Sequence, residues 1–205
     1  FFVVLRDDGG ASLTGDDGTE DREDDRVPTS DEVPALLLAA DDPGPEPFGG
    51  SFGDPDLPEP GPGLRRAVAD RTDEAERDPA TGALVADGVA PGLYGGSRSN
   101  RVCDVAALAD FLELETRKAE AFAAALGIDP TGILDALGDL AAVVLVRDTW
   151  VTDHAFVDDE PVPYQAILQA GTPVLVDPTG VPRVRCISGD PLAPPAVEGR
   201  SIADV

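Results

Sequence analysis

A chain of 205 residues carries a formal net charge of −25, from 40 acidic residues against 15 basic ones, with one histidine. Such a charge repels phosphate backbones and anionic lipid heads, which disfavours a nucleic-acid or membrane-surface role through electrostatics and excludes DNA binding. The length allows one core of ordinary size or a smaller one with a long tail, and the acids favour the second: residues 1–90 hold 23 of them against 7 bases, residues 91–205 hold 17 against 8.

In chain order, "FFVVL" followed by Arg6 is expected to be the end of a transmembrane or signal segment, residues 1–6, since five apolar residues cannot span a bilayer that needs about 20. The chain has no Met, which fits a fragment or a processed form. The acidic side of such an anchor is expected outside the cell, because cytoplasmic flanks favour Lys and Arg. Residues 7–32 read as an acidic, disordered stalk. Nine of the 20 prolines fall before residue 63, and missing amide donors with fixed φ oppose regular ladders there. Residues 33–40, "VPALLLAA", predict a first strand that pins the stalk to the core. A turn over Asp78–Gly82 and a short strand through Leu84 and Val85 come next.

From Asp104 the apolar residues Val105, Leu108, Phe111 and Leu112, then Ala119, Phe122, Ala123 and Leu126, recur at three- and four-residue steps, predicting helix up to Gly127. A break near Glu115 would make Thr116 the cap of a second helix. Asp129 caps a third, opened by Pro130 and running through Ile133, Leu134 and Leu137. "AAVVLVRD", "YQAILQAGTPVLVD" and "VPRVRC" then read as strands, the last two joined as a hairpin through Gly180 in "VDPTGV". Helices segregated before a terminal sheet predict an α+β fold, short helices packed on a small, mostly antiparallel sheet. The domain covers residues 33–194, with a tail over 195–205.

"TWVTDHAF", residues 149–156, holds the only Trp and the only His of the chain. Asp153 beside His154 offers the beginning of a general base, with Ser97, Ser99, Thr149, Thr152 and Ser188 as available hydroxyls, none in a nucleophile elbow. On an extended strand, however, adjacent side chains face opposite ways, which favours a structural histidine bonded to backbone. "PGLYGGSRSN" is the one locally basic loop; Tyr94, Gly95, Gly96 and Arg98 are the ligand-binding candidates, because successive glycines expose amides to an anion. A tight turn holding Tyr94 in the core is the simpler reading. Cys103 and Cys186 lack the spacing and partners of a zinc site and read as a disulfide. The acidic runs lack EF-hand spacing, so no metal or cofactor is expected.

The segments "PGPEPF", "PGLYGGSRSNRVCDVAALADFL", "RDTWVTDHAF", "YQAILQAGTPVLVD" and "GVPRVRCISGDPL" together resemble an actinobacterial domain family of unknown function, found behind an N-terminal membrane anchor or lipoprotein signal. The similarity runs over residues 33–194. It implies no catalytic residue. Against the family's "RCxCGNPL" this chain has "RCISGDPL", with Ser188 at the second Cys position and Asp190 at the Asn; against "VTNHGF" it has "VTDHAF", making Asp153 a variant. The function expected is a membrane-tethered, extracytoplasmic binding or sensing module at the actinobacterial cell surface, with a cell-envelope ligand or protein as partner and membrane contact only through its anchor. The alternatives are a cell-envelope hydrolase or transferase using His154 with Asp153, and a structural spacer.

Overall fold

A computed structural model describes residues 35–53 and 102–196 throughout, together with Pro62, Gly63 and Arg66 and the backbone of short strands outside those ranges. The stalk, the turn at 78–82, Gly96, Arg98, Ser97, Ser99 and most of the C-terminal tail lie outside the described residues.

In chain order the strands are β1 (Phe2–Leu5), β2 (Glu32–Pro34), β3 (Leu36–Leu38), β4 (Glu76–Arg77), β5 (Leu84–Asp87), β6 (Tyr94–Gly95), β7 (Ala141–Leu145), β8 (Thr149–Val157), β9 (Glu160–Leu168), β10 (Pro173–Val176), β11 (Pro182–Arg185), β12 (Asp190–Pro191) and β13 (Ser201–Ala203). One sheet has the order β3-β9-β8-β1-β5-β4 and a second β12-β11-β10-β7-β6, while β13 pairs with β2. The pairings are antiparallel except β3 with β9 and β13 with β2. Helices α1 (Val105–Leu114), α2 (Thr116–Leu126) and α3 (Ile133–Gly138) stand before the main strands. The fold is α+β, with short helices on mostly antiparallel sheets.

Local chemistry explains the helix boundaries. The carboxylate of Asp104 accepts from Ala107 N at 3.0 Å and opens α1. The chain breaks at Glu115, so Thr116 is the first residue of α2 rather than its cap, and α2 stops at Gly127 in the left-handed conformation, φ 69°. Asp129 caps a 3-10 turn (Pro130–Gly132) that runs into α3, where the sequence predicts a single helix. Likewise the strand expected over 33–40 is divided at Ala35 into β2 and β3.

Strand alternation builds the layers. On β10, Leu175 joins Leu108, Phe122, Ile133, Leu137 and Val184 under the helices, whereas Val174 and Val176 face Val151, Ala166 and Leu168 of the other sheet. The sheet of β10 and β11 therefore lies between a helix layer and the β8–β9 hairpin. Cys103, just before α1, and Cys186, just after β11, are joined as a disulfide with Cα atoms 5.6 Å apart, tying helix layer to sheet.

The β8–β9 hairpin turns at Asp158 and Asp159, both at positive φ, 51° and 66°. Positive φ at both central positions gives a type I′ turn, which matches strand twist. From the closing pair Val157↔Glu160, hydrogen-bonded pairs alternate with non-bonded ones, and Pro161 and Pro163 fall opposite Phe156 and His154 in non-bonded pairs. Their missing donors lie on the outer edge of β9 and cost no ladder bond. By the same alternation Thr152, His154 and Phe156 turn their N–H groups outward from β8. Thr152 N donates to Ala193 O at 2.9 Å and Phe156 N to Glu46 O at 2.8 Å.

Candidate functional site

"TWVTDHAF" is the body of β8, buried on both faces rather than looped. Trp150 packs with Ala35 and Ile167. Asp153 and His154, as neighbours on a strand, diverge. The outward N–H of His154 donates to Asp153 Oδ1 at 2.8 Å, so the carboxylate holds the main chain and not the ring. The imidazole Nδ1–H donates instead to Pro191 O at 2.8 Å, and burial pulls its pKa below the usual value. His154 is thus bonded to backbone, as strand geometry favours, and the Asp153 carboxylate is turned to the main chain and not to the ring.

What Asp153 does engage is Arg185. The guanidinium, with no solvent exposure, places Nε 3.3 Å from Asp153 Oδ2 and Nη2 2.7 Å from Asp190 Oδ2. Ser188 Oγ accepts from Arg185 Nε at 3.1 Å and donates to Asp190 Oδ2 at 2.6 Å. Tyr164 OH donates to Asp153 Oδ2 at 3.0 Å. Asp190 accordingly accepts three hydrogen bonds, the third from Phe48 N at 2.8 Å, whereas Asp153 accepts two, from His154 N and Tyr164 OH, and meets Arg185 as an ion pair.

Two acids around one cation leave a charge deficit in a dry place. Burial pushes Asp153 up to about 7 and raises Asp190 as well, against the pull of Arg185. Tyr164 is raised too, by burial first and then by the charge of Asp153. For Arg185, burial opposes the charge, but Asp153 and Asp190 overcome it and hold the guanidinium above its ordinary value.

A strap over residues 42–53 covers this cluster. Arg185 Nη1 donates to Asp42 O at 3.2 Å and Nη2 to Pro43 O. Gly44, at φ +76°, lies so close that a Cβ would come 2.5 Å from Arg185 Nη2 and 2.9 Å from Tyr164 OH. Phe48 is the plug, fully buried against Phe122 and Phe156 with ring centroids 6.4 and 5.3 Å away, and Lys118 Nζ donates to its carbonyl. Further along, Gly49 N donates to Ser188 O at 2.8 Å and Phe52 N to Cys186 O at 2.7 Å.

The remaining sequence candidates are equally committed or lie elsewhere. Thr149 Oγ1 donates to Arg147 O at 3.0 Å and Thr152 Oγ1 to Pro194 O at 2.8 Å, while Ser188 is spent on Asp190. Tyr94 and Gly95 form β6, paired with Leu145 and Val144 of β7. Among the described residues no group of three or more His, Cys, Asp and Glu is placed to hold a metal ion. Arg185, Ser188 and Asp190 all lie in the "RCISGDPL" segment, but nothing in that segment points to Asp153, Tyr164 or the strap as their partners.

An open recess of about 230 Å³ lies between the α2–α3 corner and the β10–β11 hairpin, walled by Leu126, Ile128, Ala136, Leu137, Leu140 and Pro178. Its polar side carries Asp139, Asp177 and Arg183.

With this geometry in place, comparison with protein families gives one result: the model of a domain of unknown function, DUF6777, matches residues 84–204. The chain belongs to that family. No curated protein and no solved structure matches. The DUF6777 match takes in β8, β9, the Arg185 cluster and the recess, but it begins after the strap. The segment that closes the buried cluster of this DUF6777 chain is therefore supplied from outside the matched span.

Proposed function

We propose that this DUF6777 chain is an extracytoplasmic binding module, tethered at the actinobacterial cell surface through its N-terminal side, and that it works by holding a ligand rather than by transforming one. The observation that carries the reading is a division of labour. Among the described residues Asp153, His154, Ser188 and Asp190, which could do acid–base or nucleophilic chemistry, are buried and bonded to one another or to backbone, while the recess at the α2–α3 corner is open and lined chiefly by hydrocarbon. A buried Cys103–Cys186 bond supports the oxidising side of the membrane, where such bonds persist.

The test uses the full-length precursor with a C-terminal tag in an actinobacterial host. Protease added to intact cells is expected to remove the tag, and denatured protein trapped with maleimide before reduction is expected to carry no label. Protection of the tag on intact cells, with both cysteines labelled, would place the chain in the cytosol and refute the reading.

A further inference from the structure

We infer that the recess between the α2–α3 corner and the β10–β11 hairpin binds a small organic cation, an ammonium or quaternary ammonium head carrying an apolar body; this rests on the binding-module reading and names its ligand class.

The body of the ligand follows from the wall. Leu126, Ile128 and Leu140 pack on one side against the core beneath the helices, and being only half buried they leave the rest of their surface to a shared concavity. Hydrocarbon left accessible in a concave site is where ligand binding recovers the hydrophobic term. At about 230 Å³ the recess is smaller than the roughly 300–1,000 Å³ typical of drug-sized ligands, so it suits a fragment with a short chain or a single ring.

The head follows from charge. Asp177 is locked into its own turn, accepting from Thr179 N at 2.8 Å, Thr179 Oγ1 at 2.6 Å and Val181 N at 3.1 Å, and it receives Arg183 Nε at 2.9 Å. Asp177 and Arg183 thereby cancel as a pair. Asp139 does not: it is exposed, beside Leu140, and its carboxylate is bonded to none of the described residues. The rim is thus left with one unopposed negative charge, within the field of a chain at −25 that concentrates cations and repels anions. A carboxylate ligand reaching for Arg183 would meet Asp177 already in place, Asp139 nearby and that field.

Three probes sharing one tail separate body from head: hexylammonium, hexanol and hexanoate, titrated into the full chain with methyl-labelled Leu and Ile and followed by NMR. Hexylammonium is expected to shift the methyls of Leu126, Ile128 and Leu140 saturably, with hexanoate at least tenfold weaker and hexanol between them. Asp139→Asn is expected to collapse that gap while hexanol is unaffected, and Ala136→Trp to abolish all three responses by filling the recess, with the spectrum elsewhere showing an intact fold. Hexanoate or hexanol binding as tightly as hexylammonium would overturn the cationic head while leaving the recess as a site. No saturable shift at these methyls with any probe would overturn the recess itself as the seat of the binding function.

Discussion

Arg185→Met tests the buried cluster most directly. Methionine approximates the length of the arginine stem, so little cavity is created, but the guanidinium's partners are stranded: Asp153 Oδ2, Asp190 Oδ2 and Ser188 Oγ, with the carbonyls of Asp42 and Pro43. Breaking a buried ion pair on one side costs about 3–5 kcal/mol, because the remaining charge is left without compensation. With an m-value of about 2 kcal/mol/M, the urea midpoint at pH 7 is expected to drop by roughly 2 M. Adding Asp153→Asn and Asp190→Asn to Arg185→Met removes both orphaned charges, and most of the loss is expected to return, since replacing a whole buried ion cluster by neutral groups is often close to neutral. A loss under about 1 kcal/mol in the single variant, or no recovery in the triple one, would refute the argument.

The same cluster sets a pH dependence whose sign can be worked out. Asp153 lies at about 7 when folded against 3.8 as the ordinary value, so the folded state holds its proton more tightly than the unfolded chain does. Its contribution is complete below pH ~4 and is lost as pH rises through ~7, with a ceiling of roughly 4 kcal/mol from the size of the shift. Self-repulsion among the surface carboxylates acts in the same direction. Comparison with Asp153→Asn isolates the buried group: urea midpoints of the wild-type chain are expected to fall more steeply between pH 4.5 and 7.5 than those of the variant. Equal slopes would show that Asp153 does not titrate there.

Gly44→Ala combines a disfavoured positive φ with a Cβ 2.5 Å from Arg185 Nη2, and a loss of about 2 kcal/mol is expected in thermal melts; an unchanged midpoint would mean the strap moves away freely. Reducing the Cys103–Cys186 bond, whose 83-residue separation corresponds to about 4–5 kcal/mol of chain entropy, is expected to lower the urea midpoint sharply, and full stability after reduction would count against its structural role. The imidazole of His154, the only one in the chain, is expected to titrate below 6.5 by NMR; a value above it would show that burial of the ring does not outweigh the bond to Pro191 O and the charge of Asp190, which raise it. A chain cut to residues 84–204 lacks the Phe48 plug, and loss of a buried Phe alone costs about 3–5 kcal/mol, so cooperative unfolding with a wild-type midpoint would show the strap to be dispensable.

The helices are legible in the sequence because each has its stripe and its punctuation: Asp104 and Asp129 before, Gly127 after. The β10–β11 hairpin is legible for the same reason, with Gly180 at φ 79° where the turn requires it. β8 is not, because "TWVTDHAF" is buried on both faces and its polar residues are satisfied by tertiary partners, which erases the alternation that marks a half-exposed strand. Its hairpin with β9 is hidden as well, since the turn is made by Asp158 and Asp159 where a glycine would have announced it. The buried cluster is the least legible feature. Arg185 lies 32 residues from Asp153 and 142 from Pro43, and no local pattern encodes a contact across such distances.

The course of the backbone also explains why the Asp153 carboxylate, set beside the only histidine of the chain, is turned away from the imidazole. Thr152, His154 and Phe156 present outward N–H groups on β8, and each must find an acceptor where water is excluded. Ala193 serves the first and the strap's Glu46 the third, while between them Asp153 turns its own carboxylate onto His154 N. That places a buried charge at the centre of the sheet, which requires a cation, and Arg185 is the cation within reach. The donors of Arg185 in turn go to Ser188 Oγ, Asp190 and two strap carbonyls, which gather around it. Each step follows from satisfying the group before it. The cluster is consequently fixed by the demands of the β8 main chain.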